Sequence, residues 1–265
     1  PDFDTPEHIK AAAIEAINKG QTKYTPVDGT PALKKAVQSK FKRDNGLDYE
    51  LNEILVSSGA KHSLYNLMSA LLNPGDEVVI PAPYWVSYPD MALLADGVPV
   101  IIEAGQDQGF KITPEQLEAV LTPKTKLFVI NSPSNPTGTA YSRAELQALG
   151  TVLARHPHVV VVCDDIYEHI VWSDEGFLNI VNANPELKDR TVVVNGVSKG
   201  YSMTGWRIGY AAGPAKLIGA MKKIQSQSTS NPTSIAQAAS VAALDGDQSV
   251  IAPMLKAFKE RHDYV

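Results

Sequence analysis

TVVVNGVSKGYSMTGWRIGYAA, running from Thr191 to Ala212, contains two apolar segments joined by a glycine-containing connection. Thr191–Asn195 and Arg207–Ala212 have the length and the apolar character of buried strands. The connection between them is short for a helical crossover, which needs about a dozen residues or more to join parallel strands. We therefore expect Arg207–Ala212 to be an antiparallel member of a sheet that also contains Thr191–Asn195.

Apolar runs of similar length recur along the chain and alternate with stretches of helical periodicity. This alternation is typical of βαβ units and of a mostly parallel sheet. The predicted fold class is α/β, with a seven-stranded, mostly parallel mixed sheet flanked by helices. The predicted strands are Ile54–Ser57, Val78–Ile80, Val98–Glu103, Leu127–Asn131, Val159–Asp164, Thr191–Asn195 and Arg207–Ala212.

Helices are predicted between and around these strands, and several begin with a recognisable cap. Thr5, Thr113 and Ser142 each precede a helical pattern and are expected to act as N-caps. The predicted helices are Pro6–Asn18, Thr30–Asp44, Ala60–Leu72, Val86–Leu94, Pro114–Leu121, Arg143–Arg155, Ala215–Gln227, Ser234–Leu244 and Ser249 onward.

Composition narrows the class of protein without selecting a function. The 265 residues are 44% hydrophobic and 20% charged, enough for one large domain or two smaller ones. The net charge is −5 and the sequence has no run of lysine or arginine. It therefore does not predict a basic surface for binding nucleic acid or an anionic membrane. The single cysteine, Cys163, excludes an internal disulfide and fits a reducing compartment. Because no apolar run approaches the ~20 residues that span a bilayer, we expect a cytoplasmic protein.

Lys199 is the leading candidate for a chemical role. It follows a predicted strand, and Arg207 stands eight residues further on. A lysine that acts as an amine nucleophile must lose its proton, and burial or a nearby cation promotes that loss. Taken alone, Lys199 would be better explained as a solvated loop residue beside a turn.

Other polar residues are predicted at the same edge of the sheet as Lys199. Ligands of open α/β sheets gather at the carboxyl ends of the strands. The residues that follow predicted strands are Ser58–Lys61, Asn135, Asp164 and Tyr167. Within the first of these segments, Gly59-Ala60-Lys61 begins a predicted helix. The topology alone therefore predicts that these side chains lie close to Lys199.

Four segments of the chain resemble the cofactor segments of one enzyme family, in the same order along the sequence. They lie within about 125 residues and the resemblance extends along nearly the whole chain. The family is that of the class I pyridoxal-phosphate-dependent aminotransferases, the aspartate aminotransferase group, and the chain resembles its large domain. The segments are PYWVSYP at 83–89, NSPSNPTG at 131–138, DDIY at 164–167 and NGVSKGYSMTGWRIGY at 195–210.

The resemblance implies pyridoxal 5'-phosphate as the cofactor, bound as a Schiff base to Lys199 in a fold-type I large domain. Lys199 is the implied catalytic residue, and Trp85 and Asn135 are implied to contact substrate as well as cofactor. No metal is expected. The implied cofactor-binding residues are Tyr24, Gly59, Ala60, Lys61, Trp85, Asn135, Asp164, Tyr167, Ser198, Lys199 and Arg207.

Physical chemistry supplies a reason for each group of these residues. Amide groups at the start of a helix and the two-pronged guanidinium of Arg207 suit a phosphate. A carboxylate at Asp164 suits a protonated pyridine ring, which it would hold as an electron sink. Asn135 and Tyr167 would hydrogen-bond the phenolic oxygen of the cofactor, and Trp85 would stack on its ring, adding ~1 kcal/mol.

The same residues have ordinary structural explanations when each is considered by itself. Gly59 could serve a strand-to-helix turn, and Asn135 could serve a turn before Pro136. Tyr167 and Trp85 could be packing residues. Ser198 is expected to take over the phosphate contact that a hydroxyl residue often makes at the position of Gly196, as in one subgroup of the family.

The expected activity is the transfer of an amino group from an aspartate-like or aromatic L-amino acid to a 2-oxo acid. Tyr24 resembles the family's tyrosine that reaches the phosphate of a neighbouring subunit, which implies a homodimer with a shared active site. We expect an N-terminal segment at 1–20, a large cofactor-binding domain at 21–248, and at 249–265 the start of a helix leading to a small domain. The carboxylate-binding arginine of the family would lie in that small domain, so the 265 residues should bind cofactor better than they transaminate.

Two other functions remain as alternatives. Gly196-Val197-Ser198-Lys199-Gly200 matches the G-x-S-x-G pattern of α/β-hydrolases, with Ser198 as nucleophile and His262 with Asp245 or Asp247 as partners. Aminotransferase-like domains also serve as non-catalytic sensors in transcription regulators. A metal site built on Asp164 and Asp165 is a weaker possibility, because no histidine stands at ligand spacing.

The segment that presents Asn135 must turn sharply. Ser132-Pro133 and Asn135-Pro136 are the positions where a cis peptide bond costs little. We therefore predict cis bonds at both, as the resemblance also implies.

Overall fold

A computed structural model describes residues 3–173 and 175–264 of the chain. The described residues form one seven-stranded sheet. Its strands are β1 Ile54–Ser57, β2 Glu77–Ala82, β3 Val98–Glu103, β4 Thr125–Asn131, β5 Val160–Asp164, β6 Thr191–Gly196 and β7 Gly209–Ala212. All seven predicted strands are confirmed, with boundaries that differ by two residues or fewer at every end.

The strands lie in the order β1-β7-β6-β5-β4-β2-β3. β6 pairs with β5, and β4 pairs with both β5 and β2, in parallel ladders. β7 is antiparallel to both of its neighbours, β1 and β6, which confirms the prediction made from its short connection. Because β1, β4, β5 and β6 run in the same direction, their carboxyl ends meet at one edge of the sheet.

Helices cover both faces of the sheet. Helices α3, α4 and α8 pack over one face, and α1, α2, α5, α6 and α9 contribute to the other. Nearly all residues of the central strands are buried, as expected for a sheet covered on both sides. The helices are α1 Glu7–Asn18, α2 Pro31–Lys40, α3 Ala60–Leu71, α4 Ser87–Leu94, α5 Pro114–Val120, α6 Arg143–Ala154, α7 Ile180–Ala183, α8 Ala215–Ser228, α9 Ser234–Asp245 and α10 Ile251–Tyr264.

The structure corrects some helix predictions. The predicted helix Thr30–Asp44 is α-helical only to Lys40, and Phe41–Asn45 forms a π-helical turn. The short helix α7 was not predicted, because four residues are too few to show a periodicity. The predicted helix from Ser249 onward included Val265, which lies outside the described residues, as do Pro1 and Asp2.

Two of the three predicted N-caps are confirmed. Thr113 and Ser142 accept hydrogen bonds from the backbone of Gln116 and Glu145, and both form capping boxes. Thr5 was wrongly assigned, because α1 has Pro6 at its N-cap position and no side-chain cap. The Thr5 hydroxyl instead forms hydrogen bonds with Ser202 and Trp206, about 200 positions later in the chain.

Both predicted cis peptide bonds are confirmed, at Ser132-Pro133 and Asn135-Pro136. A third, at Ala82-Pro83, was not predicted. Within residues 3–173 and 175–264, no helix has both the length and the apolar character required to cross a membrane.

Candidate active site

The polar residues at the carboxyl edge of the sheet surround one cavity of about 240 Å³. Nine of the predicted site residues line it, and Gly59 lies beside it against the Arg207 guanidinium. Tyr24, 92% exposed, lies outside this lining. The nine lining residues are Ala60, Lys61, Trp85, Asn135, Asp164, Tyr167, Ser198, Lys199 and Arg207.

Lys199 enters the cavity from the segment that follows β6. Its Nζ lies 5.5 Å from the centroid of the Tyr167 ring, over the ring face. The residues that flank it, Ser198 and Gly200, are buried. Gly200 is required there, because a side chain would collide with the ring of His169. The amine is therefore presented to the cavity by a closely packed backbone.

Asp164, the last residue of β5, forms the floor of the cavity and is only 4% exposed. Burial raises the pKa of its carboxyl above the ordinary value, while the Tyr88 hydroxyl, the Ile166 amide and Lys199 act in the opposite direction. The Tyr88 hydroxyl donates to Asp164 Oδ2 at 2.7 Å. Among the ion pairs of the described residues, none within 4.0 Å involves Asp164. A buried carboxyl without a salt bridge is suited to receive a cationic N–H from a ligand.

Asn135 and Tyr167 both line the cavity, and their side chains lie near enough to interact. The backbone N–H of Asn135 donates to Asn131 Oδ1 at 2.8 Å. Asn131 Nδ2 in turn donates to the backbone carbonyl of Asp164 at 2.8 Å. Burial raises the pKa of Tyr167, as does the charge of Asp164, while the hydrogen bond with Asn135 lowers it. Asn131 thus ties the segment that carries Asn135 to the strand that carries Asp164.

A corner of the cavity that suits an anion lies where α3 begins. Gly59 has φ of 99°, a conformation that favours glycine, and its missing Cβ leaves room for Arg207. The Arg207 Nη1 donates to the Thr204 carbonyl at 2.9 Å. The first amide groups of a helix have no partners within the helix, so those of Ala60 and Lys61 can bind an anion beside the guanidinium.

Trp85 forms one wall of the cavity. Its ring meets the Tyr88 ring edge to face, with centroids 5.4 Å apart and planes at 85°. The Lys61 ammonium lies 4.7 Å from the Trp85 ring centroid. The indole is therefore held from two sides, as a rigid wall for a planar ligand requires.

Four residues of the cavity lining were missed by the sequence analysis: Tyr88, Asn131, Ile166 and Thr204. All four lie within the segments that resemble the family, and Tyr88 lies three residues after Trp85, at the start of α4. Thr204 is positioned by the irregular backbone between β6 and β7, for which the sequence offers no periodic signal.

The structure does not support a hydrolase nucleophile at Ser198 or a metal site at Asp164 and Asp165. The segment after Ser198 leads into strand β7 and not into a helix, which contradicts the arrangement of a hydrolase nucleophile. His262 hydrogen-bonds Asp263 at 3.3 Å, and Asp247 accepts from Ser249 at the start of a 3₁₀ turn. Asp165 turns away from Asp164 and accepts a 2.9 Å hydrogen bond from Asn179, so the two carboxyls do not form a metal site.

Glu168, the residue that follows Tyr167, is part of a buried ion pair. Lys40, at the end of α2, pairs with Glu168, and Asn45 Nδ2 donates to Glu168 Oε2 at 3.1 Å. Burial raises the pKa of Glu168, but Lys40 and then His169 outweigh that effect and bring it below its ordinary value. Asp44 and His169 also lie near this carboxylate. The pair fixes the irregular segment that carries Tyr167 to the π-helical turn.

Replacing Lys40 with methionine is expected to lower the free energy of unfolding by about 3–5 kcal/mol, because the Glu168 charge would stay buried without its partner. Urea denaturation measures the change. Lys42→Met is the matched control, since Lys42 pairs with Asp48 on the surface and its loss should cost under ~1 kcal/mol. Equal losses for the two variants would contradict a stabilising role for the buried pair.

Comparison with known proteins identifies the family. The family described as aminotransferase class I and II matches the chain over residues 1–265. The chain belongs to this family. It is 62% identical over 265 residues to an aspartate/prephenate aminotransferase from Nitrosomonas europaea, covering all of this chain and 67% of that one. A second aspartate/prephenate aminotransferase, from Cereibacter sphaeroides, is 61% identical over the same length, which is 66% of that protein.

A solved structure of a family member shows that the fold is shared as well. The crystal structure of the aspartate aminotransferase from Rhizobium meliloti superposes with a TM-score of 0.98 at 56% identity, covering all of this chain and 66% of that one. The chain thus spans about two thirds of the length of the relatives it matches. The seven-stranded mixed sheet is that of the fold-type I transferases, as the resemblance implied.

Proposed function

We propose that the chain carries the cofactor site of a pyridoxal-phosphate-dependent aminotransferase. The observation that carries the proposal is the convergence, in one cavity, of a lysine amine, a buried carboxyl and an anion-binding corner. Bound there, pyridoxal 5'-phosphate would supply an aldehyde that captures amines and a ring that withdraws electrons from the substrate.

The residues present fit that cofactor at both of its ends. Among the described residues, the Tyr88 hydroxyl and the Ile166 amide are the hydrogen-bond donors to the buried carboxyl of Asp164, and a protonated ring nitrogen would offset its desolvation. Arg207, Gly59 and the first amides of α3 would hold the phosphate. Ser198 is buried next to Lys199 and would add a hydroxyl to the same group.

Lys199 would bind the cofactor covalently and then act on the substrate. Its Nζ lies over the Tyr167 ring, and both residues line the cavity. After release by an incoming amino acid, the free amine would take the proton from the substrate Cα as general base and return it as general acid. Proton transfer of this kind contributes about 10²–10⁴-fold to rate.

Tyr167 and Asn135 would orient the cofactor by hydrogen bonds to its phenolic oxygen. Both carry a hydrogen-bond donor and line the cavity, so both could donate to one oxygen of the cofactor. Trp85 would cover the ring face and, with Asn135, contact the substrate. These roles belong to the proposal as a whole and share its test.

The proposed substrates are an aspartate-like or aromatic L-amino acid as amino donor and a 2-oxo acid as acceptor. The names of the relatives, aspartate/prephenate aminotransferase, support aspartate as the first donor to examine. We further propose a cytoplasmic homodimer in which the exposed Tyr24 reaches the partner's site. The proposed division into 1–20, 21–248 and 249–265 places the whole cavity lining in the middle segment.

A panel of amino donors tests this function. The purified protein is incubated with pyridoxal 5'-phosphate, 2-oxoglutarate and each L-amino acid, and L-glutamate formation is followed. We expect glutamate from aspartate or from aromatic donors, and none from lysine. Cofactor binding without glutamate from any donor would refute the aminotransferase activity of the chain while leaving the cofactor site intact.

A further inference from the structure

Thr5 connects the N-terminal segment to the backbone that carries Arg207. Its side chain is buried, at 6% exposure, although it precedes the first helix. The hydroxyl donates to the Ser202 carbonyl at 2.8 Å and accepts from the Trp206 indole N–H at 3.0 Å. These partners lie 197 and 201 residues away in the sequence. One hydroxyl thus joins two points of a single loop.

That loop contains two residues in a conformation that side chains disfavour. Ser202 has φ of 52° and Arg207 has φ of 56°, both in the left-handed region. Such residues persist only where surrounding contacts hold them. Thr5 contacts Ser202 itself and contacts Trp206, the residue directly before Arg207, so it acts on both strained positions.

Other contacts hold the loop at different points. The Ser202 hydroxyl lies 3.1 Å from the Met254 sulfur on α10, a weak interaction. Arg207 Nη1 donates to the Thr204 carbonyl, which is part of the same loop and cannot fix it from outside. Tyr201, earlier in the same loop, donates from its hydroxyl to Gln248 Oε1 at 2.6 Å. The Thr5 hydroxyl is the outside contact that reaches Trp206, directly before Arg207.

We propose that Thr5 is a positioning residue that holds Arg207 in its phosphate-binding conformation. This inference rests on the proposed phosphate site and adds to it a residue far from the cavity lining. Without the hydroxyl, the Trp206 indole loses its acceptor and the Ser202 carbonyl loses its donor. Arg207 then leaves its left-handed conformation more readily, and the guanidinium no longer stays beside Gly59.

Comparing two ligands isolates this effect. Thr5→Val keeps the shape of the side chain and removes the hydroxyl, whereas Thr5→Ser keeps the hydroxyl. Dissociation constants are measured for pyridoxal 5'-phosphate and for pyridoxal, which lacks the phosphate. We expect Thr5→Val to weaken binding of the phosphorylated compound about 10-fold and to change pyridoxal binding by less than about 2-fold, with Thr5→Ser close to the wild type. Thr151→Val, the same change on the exposed face of α6, is the control and should affect neither ligand.

A second measurement follows the hydrogen bond without any cofactor. The indole N–H signal of Trp206 in a nitrogen-15 spectrum, assigned with Trp206→Phe, should shift in Thr5→Val and should keep its position in Thr5→Ser. An unchanged signal in Thr5→Val, or equal weakening of both ligands, would overturn the inference. If the wild type itself bound both ligands equally, the phosphate site would be refuted and this inference with it, whereas a wild-type preference that persists in Thr5→Val would refute this inference alone.

Discussion

Lys199→Ala is expected to abolish covalent binding of pyridoxal 5'-phosphate and to reduce single-turnover amino transfer by at least about 10²–10⁴-fold, the usual worth of a positioned general acid and base. The amine would be lost from the centre of the cavity, while Asp164 and the phosphate corner would remain. The measurement is the absorbance of the bound cofactor during a single turnover with an amino acid.

Two further variants separate the possible reasons for such a loss. Lys199→Arg retains a positive charge but cannot form the covalent bond, so it should fail as Lys199→Ala does. Lys216→Ala removes an exposed lysine at the start of α8 and should behave as the wild type. Full activity of Lys199→Arg would show that charge alone is needed and would contradict the nucleophilic role.

Asp164→Asn is expected to lower the turnover rate about 10²–10³-fold, the cost typical of removing one electrostatic partner of a developing charge. The amide has the shape of the carboxyl and can still accept from the Tyr88 hydroxyl, so the cavity should persist. Asp165→Asn is the matched control, because that neighbouring carboxyl faces Asn179 and lies outside the cavity lining. Similar losses in the two variants would contradict the assignment of Asp164 to the cofactor.

The same variant has a defined effect on stability without cofactor. Burial raises the pKa of Asp164 above its ordinary value of 3.8, so the folded chain holds a proton that the unfolded chain releases as the pH rises above that value. The carboxyl therefore costs stability as the pH rises through this window, at about 1.4 kcal/mol for each unit by which the pKa is raised. Asp164→Asn should be more stable than the wild type at neutral pH and nearly equal to it below a pH of about 4.

Local patterns in the sequence predicted most of the fold because the sheet is buried on both faces. Each central strand is a short apolar run with polar residues at its carboxyl end, as in Val159–Asp164, so both the strand and the site residue are visible. The antiparallel strand β7 could be predicted from the length of one connection. Capping residues were predictable where a box pattern was present, as at Ser142.

Contacts between distant parts of the chain could not be predicted in this way. Thr5 resembles an N-cap in sequence, but its hydroxyl is taken by Ser202 and Trp206, which only tertiary packing brings near. The pairing of Lys40 with Glu168 joins residues 128 positions apart, and neither position signals a partner. The left-handed conformation of Arg207 likewise has no local sequence signal, since glycine is the residue that usually adopts it.

The most direct test of the central claim is to locate the cofactor on the chain. The wild-type protein is loaded with pyridoxal 5'-phosphate, reduced with borohydride and digested, and the labelled peptide is identified by mass spectrometry. The account predicts a single stoichiometric label on Lys199. A label on Lys61 or on surface lysines, with Lys199 unmodified, would contradict it.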